Sequence, residues 1–140
     1  MADLPNFVAV DWNGTVVPFF HEPPYPGAIE VLHRWREAGV LVVVVSHASQ
    51  FTIEADVERT GLQADTVLGV HDKAPAFLEL RLRLGAGVAL GDHPADLRAA
   101  LEAELPFFQA RLDGQPAFAG TTSSFSDWRE MDHLLRKVGA

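Results

Sequence analysis

Phe7 to Val16 reads FVAVDWNGTV, and the rest of the chain is understood from it. The apolar run from Phe7 to Val10 is long enough for a buried strand, and Asn13 with Gly14 closes a turn just beyond it. Asp11 is therefore delivered to the end of a buried strand, which makes it a candidate for a functional site.

Outward from this strand the chain alternates. Pro18 to Pro26 (PFFHEPPYP) is too rich in proline for a helix or a central strand and reads as a stiff aromatic loop. Pro26 suits the first turn of a helix with Ile29, Val31, Leu32, Trp35 and Ala38 on one face, ended by Gly39. Val40 to Val45 is a near-continuous β-branched run of the kind found in parallel strands covered on both sides, and Ser46 to Ser49 turns polar directly after it. Ser49 then caps a helix reaching Thr60 and stopped by Gly61.

Thr66 to Val70 gives a third strand, Lys73 to Leu84 a helix, and Val88 to Leu90 a fourth strand ending at Gly91 and Asp92. The next helix carries Pro94 in its first turn and turns Leu97, Ala100, Leu101 and Leu105 inward. Phe107 to Leu112 reads as a fifth strand and Gly114 to Ser124 as irregular or hairpin-like. Ser126 caps a last helix with Trp128, Met131, Leu134, Leu135 and Val138 on one stripe. Trp12, Trp35 and Trp128 are assigned to the core or to an interface.

The 140 residues, 48% of them hydrophobic, suffice for one domain spanning 1–140. Strands alternating with helices imply an α/β fold, a three-layer Rossmann-like open parallel sheet of about five strands. Eleven basic against nineteen acidic residues give a net charge of −8, which disfavours nucleic acid and anionic membrane surfaces as partners. The absence of cysteine excludes disulfides, thiolate catalysis and cysteine-ligated metal sites. With no basic-then-apolar segment after Met1 and no apolar run of membrane length, a cytoplasmic location is expected.

Ligands of open parallel sheets bind beyond the carboxyl ends of the strands. That rule gathers Asp11, Ser46, His71 to Lys73 and Asp92. Two carboxylates can hold a hard divalent cation such as Mg2+, an ionised aspartate can attack phosphorus, and a hydroxyl and an ammonium can balance phosphoryl charge.

With these residues in this order, the sequence resembles the haloacid dehalogenase (HAD) superfamily of phosphohydrolases. DWNGTV at Asp11 to Val16 is similar to its first motif, DxDGT plus an aliphatic residue. Ser46 after VVVV matches the second, Lys73 the third, and GDHPAD at Gly91 to Asp96 the fourth, GDxxxD. The matching region runs from about residue 7 to 110, followed by an irregular segment and helix over 113–140.

The resemblance implies Asp11 as nucleophile and metal ligand, the backbone carbonyl of Asn13 and the carboxylate of Asp92 as further ligands of Mg2+, and Asp96 as support for the metal shell or for Lys73. Ser46, His47 and Lys73 would bind phosphate. It also implies a subtype without a large cap domain, because neither customary insertion point holds enough chain. An open site of that kind leads us to expect Phe19, Phe20 and Tyr25 to form an exposed apolar patch used in self-association or in contact with a phosphorylated small molecule or protein.

One position departs from the motif. The superfamily's phosphatases carry an aspartate two residues after the nucleophile as general acid and base, and here Asn13 stands in its place. An amide hydrogen-bonds but cannot give a proton to a leaving alkoxide and take it back from water. His21, His47, His71 and His93 follow the first four strands and are candidates for that proton transfer. The alternative function is a phosphoryl-ligand-binding or regulatory protein of weak turnover. A phosphorelay receiver domain gathers similar groups, but its lysine follows its last strand.

Overall fold

The computed structural model describes residues 4–120 and 123–138. In chain order it holds β1 (Phe7–Val10), α1 (Ala28–Glu37), β2 (Leu41–Ser46), α2 (Gln50–Thr60), β3 (Thr66–Gly69), α3 (Lys73–Leu84), β4 (Gly87–Gly91), α4 (Pro94–Glu102), β5 (Phe107–Ala110), β6 (Ser124–Phe125) and α5 (Trp128–Val138). The strands form one parallel sheet in the order β3-β2-β1-β4-β5-β6. β1 lies between β2 and β4, so the chain reverses its direction of travel across the sheet at β1, where such sheets open a crevice.

Alternation along the central strands divides the core in two. Val8, Val10, Val42, Val44 and Leu90 face α1, α2 and α5, where Leu32, Trp35, Ile53, Trp128 and Met131 complete one cluster. Phe7, Ala9, Val43, Val45 and Ala89 face α3 and α4, against Phe77, Leu80, Ala99 and Ala100. All three tryptophans are fully buried, as expected. The rings of Trp35 and Trp128 lie 5.9 Å apart and join α1 to α5. The Trp35 indole N–H donates to Asp132 at 2.8 Å, a buried carboxylate that also receives Arg34 and Arg136.

Several details depart from expectation. Gly114 to Gly120 is irregular, residues 121–122 lie outside the described residues, and the chain returns not as a hairpin but as a sixth strand, β6, running parallel to β5. Leu101 is exposed because small Ala99, Ala100 and Ala103 bring α4 close to its neighbours, and the next helical position is turned outward. Ala38 is likewise exposed at the end of α1. Asp127, not Ser126, caps α5, its carboxylate accepting the Glu130 N–H at 2.8 Å while the Ser126 N–H is held by the Glu130 side chain. The Val138 side chain lies outside what is described.

The two intervals where a cap domain could be inserted hold only the proline-rich loop before α1 and the helix α3 before β4, so the described residues include no large cap. No helix among the described residues is long and apolar enough to cross a membrane.

Candidate active site

Four strand ends converge at the β1 crevice. One cleft there is lined by Asp11, Asn13, Gly14, Ser46, Lys73, Asp92 and Asp96. Each polar group arrives by a local device.

Past β1 the chain folds into a tight loop in which the N–H groups of Thr15, Val16 and Val17 all point to the Trp12 carbonyl and the Gly14 N–H donates to Val17 at 2.7 Å. Gly14 has φ +79°, and a Cβ there would meet Asp92 Oδ2 at 1.9 Å. Only glycine lets the β1 loop and the Asp92 carboxylate come together. The same logic holds at Gly91, where a Cβ would stand 2.3 Å from Asp96 Oδ2. His93 caps α4 through Nδ1, which accepts the Ala95 N–H at 3.0 Å, and Asp96 completes the capping box by accepting the His93 N–H. The cap is thus His93, which leaves Asp92 facing the cleft.

Lys73 opens α3, an unfavourable place for a cation on a helix dipole, and its side chain is 3% exposed. Two carboxylates hold it there. Its Nζ lies 2.8 Å from Asp11 Oδ1 and 2.6 Å from Asp96 Oδ1. Burial works against its charge, but these two carboxylates outweigh that penalty and raise its pKa above the ordinary lysine value.

Asp92 and Asp96 are raised as well, which for them favours the neutral form. Burial, then the hydrogen bond with Asp11 and its charge, push Asp92 up to about 8. Asp96 rises to about 6, through burial and the charge of Asp11, with Lys73 pulling the other way. Each of Asp11, Asp92 and Asp96 can bring one oxygen to a point where all three lie within 4.8 Å of one another. Three carboxylates against one ammonium call for a further cation, and Asn13 Oδ1 adds a buried acceptor without a hydrogen-bond partner among the described residues. The donor set therefore fits a hard divalent ion.

Ser46 ends β2 almost fully buried, its Oγ accepting the Ala48 N–H at 3.1 Å, so its own proton remains available to a ligand. His47 and His93 line the cleft. Burial, then Lys73, lowers the pKa of His47. His21 does not join them, because its side chain is 88% exposed and its N–H is tied to Asp56. His71 is also exposed and does not line the cleft.

The expected aromatic patch is smaller than the sequence suggests. Phe19 is 60% exposed, whereas Phe20 and Tyr25 pack against the core. Tyr25 turns its hydroxyl to Asp113 at 2.6 Å.

Other contributors were not anticipated. Thr15 is buried, its hydroxyl 3.5 Å from Asp11 Oδ2, and its carbonyl accepts the Trp128 indole N–H at 2.9 Å. Trp12 donates to Asp56 of α2 at 2.6 Å. Asp113, beyond β5, lines the outer cleft. The first of these was hinted at by the threonine inside DWNGTV; the others have no local motif.

A family model described as haloacid dehalogenase-like hydrolase matches residues 8–101. No curated protein sequence matches the chain. Among solved structures, the chain is similar to a HAD-superfamily hydrolase from Ehrlichia chaffeensis, with TM-score 0.76, 13% identity and 99% of each chain covered. It is also similar to the 3-deoxy-D-manno-octulosonate 8-phosphate phosphatase of Moraxella catarrhalis, solved with magnesium ion, phosphate ion and KDO (TM-score 0.72, 18% identity, 95% of this chain and 86% of that one). A protein taken to be a phosphoglycolate phosphatase from Lactobacillus delbrueckii gives TM-score 0.73 and 21% identity over 83% of this chain, which spans only 55% of that longer protein. At these identities the likeness is one of fold.

Proposed function

Because the chain belongs to the haloacid dehalogenase-like hydrolases, we propose that it is a capless, magnesium-dependent phosphomonoesterase acting through an aspartyl-phosphate on Asp11. The observation that carries this reading is the placement of Asp11 at the end of β1, 2.8 Å from Lys73 Nζ and clustered with Asp92 and Asp96.

Asp11 and Asp92, with the backbone carbonyl of Asn13, are the groups assigned to Mg2+. Both oxygens of Asp96 are already engaged, by Lys73 and by the His93 N–H, so Asp96 is assigned to orienting Lys73. When bound, the ion supplies positive charge that offsets carboxylate repulsion and draws charge from phosphoryl oxygens. Asp11 Oδ2 attacks phosphorus, the bond to the leaving oxygen breaks as that oxygen takes a proton from water or from His47, and water then hydrolyses the acyl phosphate, releasing phosphate and restoring the Asp11 carboxylate. Ser46 and Lys73 donate to the phosphoryl oxygens as charge develops, with His47 at the cleft edge. A cytoplasmic phosphorylated small molecule or protein is the substrate class, and the exposed Phe19 is the remaining point for contact with a second copy or with substrate.

A second reading, favoured by Asn13, keeps the site as a phosphoryl-ligand binder of weak turnover. Release of phosphate from a panel of phosphomonoesters, with Mg2+ and with a chelator, tests the first reading. Turnover that needs Mg2+ and vanishes in Asp11→Asn is expected. Turnover persisting in that variant would remove Asp11 from the mechanism.

A further inference from the structure

We infer that the outer part of this cleft selects a phosphomonoester whose leaving group is uncharged and carries neighbouring hydroxyls, and that it rejects one bearing a carboxylate, with Asp113 as the specificity-determining residue. This rests on the phosphomonoesterase reading of the floor and concerns only what lies beyond the phosphoryl group.

The argument begins with charge. Lys73 is the only lysine or arginine lining the cleft among the described residues, and its ammonium is held between Asp11 and Asp96. Arg98 lies outside this lining, in an adjoining cleft that shares His47 and Lys73 with it and sets Arg98 beside Asp72 and Glu102. Arg111 turns its Nε to the Gln115 carbonyl at 2.6 Å. Apart from Lys73, a carboxylate on the leaving group therefore meets no lysine or arginine in the described lining of this cleft and faces the like charge of Asp113, and like charges brought together across an interface are rejected strongly.

The groups that are present suit hydroxyls. Asp113 Oδ2 accepts from Tyr25 Oη at 2.6 Å, and the Asp113 N–H donates to Gln115 Oε1 at 2.9 Å, so both ends of the residue are fixed. Burial, followed by the neighbouring Asp113, pushes the Tyr25 pKa upward and keeps the phenol a donor. Oδ1 receives no hydrogen bond from the described residues, which leaves an oriented acceptor at the cleft. A carboxylate oxygen accepts from hydroxyls and offers nothing to a second carboxylate. On the same rim Phe19 presents an exposed ring, braced edge-on against Phe20 at 5.4 Å. A fixed aromatic surface together with a carboxylate is what a carbon skeleton with apolar C–H faces and hydroxyl edges requires. A sugar or polyol and the ribose of a nucleoside share this chemistry.

Glycerol 3-phosphate and 3-phosphoglycerate form a matched pair, differing by a hydroxymethyl group in place of a carboxylate. With Mg2+ present, kcat/KM for the first is expected to exceed that for the second about tenfold or more. Asp113→Asn should shrink this ratio and Asp113→Lys should invert it, in variants whose near-ultraviolet circular dichroism shows intact packing. Glucose 6-phosphate and adenosine 5′-monophosphate carry the hydroxyls from the two sources, and whichever surpasses glycerol 3-phosphate identifies the source. A ratio near one, or one unmoved by Asp113→Lys, overturns the inference even if 4-nitrophenyl phosphate is hydrolysed. If no ester is hydrolysed, the phosphomonoesterase reading fails by itself. Calorimetric titration of the matched pair then decides whether the selectivity persists as binding, with equal or reversed affinities overturning it.

Discussion

The indole N–H of Trp12 donates to Asp56 Oδ2 at 2.6 Å, tying the residue next to Asp11 to the middle of α2. Asp56 also accepts Arg59 at 2.8 Å and the His21 N–H at 3.1 Å, so one buried carboxylate anchors both the β1 loop and the proline-rich loop. Burial pushes its pKa up, but the hydrogen bonds from Arg59, Trp12 and His21 prevail and hold it at about 2, below the ordinary 3.8. A depressed carboxyl stabilises the fold fully above its unfolded pKa and loses that contribution as pH falls toward the folded one. About 2 kcal/mol should therefore disappear between roughly pH 4 and pH 2. Urea unfolding of the natural chain and of Asp56→Asn at neutral and acid pH checks this, and an equally steep acid loss in the variant would refute it.

Lys73 predicts a compensating pair. Lys73→Met leaves Asp96, itself 2% exposed, without its cation, and breaking a buried pair this way costs about 3–5 kcal/mol. Adding Asp96→Asn removes the stranded charge, so the double variant should be more stable than Lys73→Met alone. Additive losses in the thermodynamic cycle would show that the two side chains do not act on one another.

The raised carboxyls set how the metal-free chain responds to pH. Below about pH 4, Asp92 and Asp96 are protonated folded or unfolded and contribute nothing. Above that the unfolded chain ionises freely while the fold retains the Asp96 proton to about pH 6 and the Asp92 proton to about pH 8, so stability falls as pH rises through this window. His47, lowered, works in the other direction, which makes the comparison with and without cation the informative one. Saturating MgCl2 should raise Tm relative to a chelator, by more at about pH 8 than at about pH 5. A gain that is equal or larger at the lower pH would contradict the carboxylate assignment.

How much of this could be read from residues alone follows from distance along the chain. Phe7–Val10, Val40–Val45 and the turn residues after them are contiguous, and Gly91, Asp92 and Asp96 all fall within the six-residue stretch GDHPAD. The strands and strand-end acids were legible for that reason. Asp56 meets Trp12 across 44 positions, and Trp128 meets Thr15 across 113, so no local pattern announces either contact. β6 has two residues, too few for alternation to register. Leu101 fits a helical stripe in sequence, but the small alanines beside it decide which side of α4 is buried.

Asn13 is the position where a change in function should be largest. Its loop is held from both sides, by Trp12 on Asp56 and by Trp128 on the Thr15 carbonyl, so Asn13→Asp exchanges one atom type without moving the backbone. The new carboxyl adds a fourth acid beside Asp11, Asp92 and Asp96, and metal-free stability should fall. With Mg2+ it supplies the proton that an amide cannot, and kcat should rise about 10²-fold. His47→Ala gives the control. If His47 carries the proton in the natural chain, its removal should slow turnover there and matter much less in the Asn13→Asp background, a non-additivity that steady-state kinetics on an alkyl ester such as glycerol 3-phosphate, whose leaving alkoxide needs the proton, resolves. A folded, metal-binding Asn13→Asp protein with no gain in kcat would mean that the site lacks more than a proton donor, and the phosphoryl-binding reading would then take precedence.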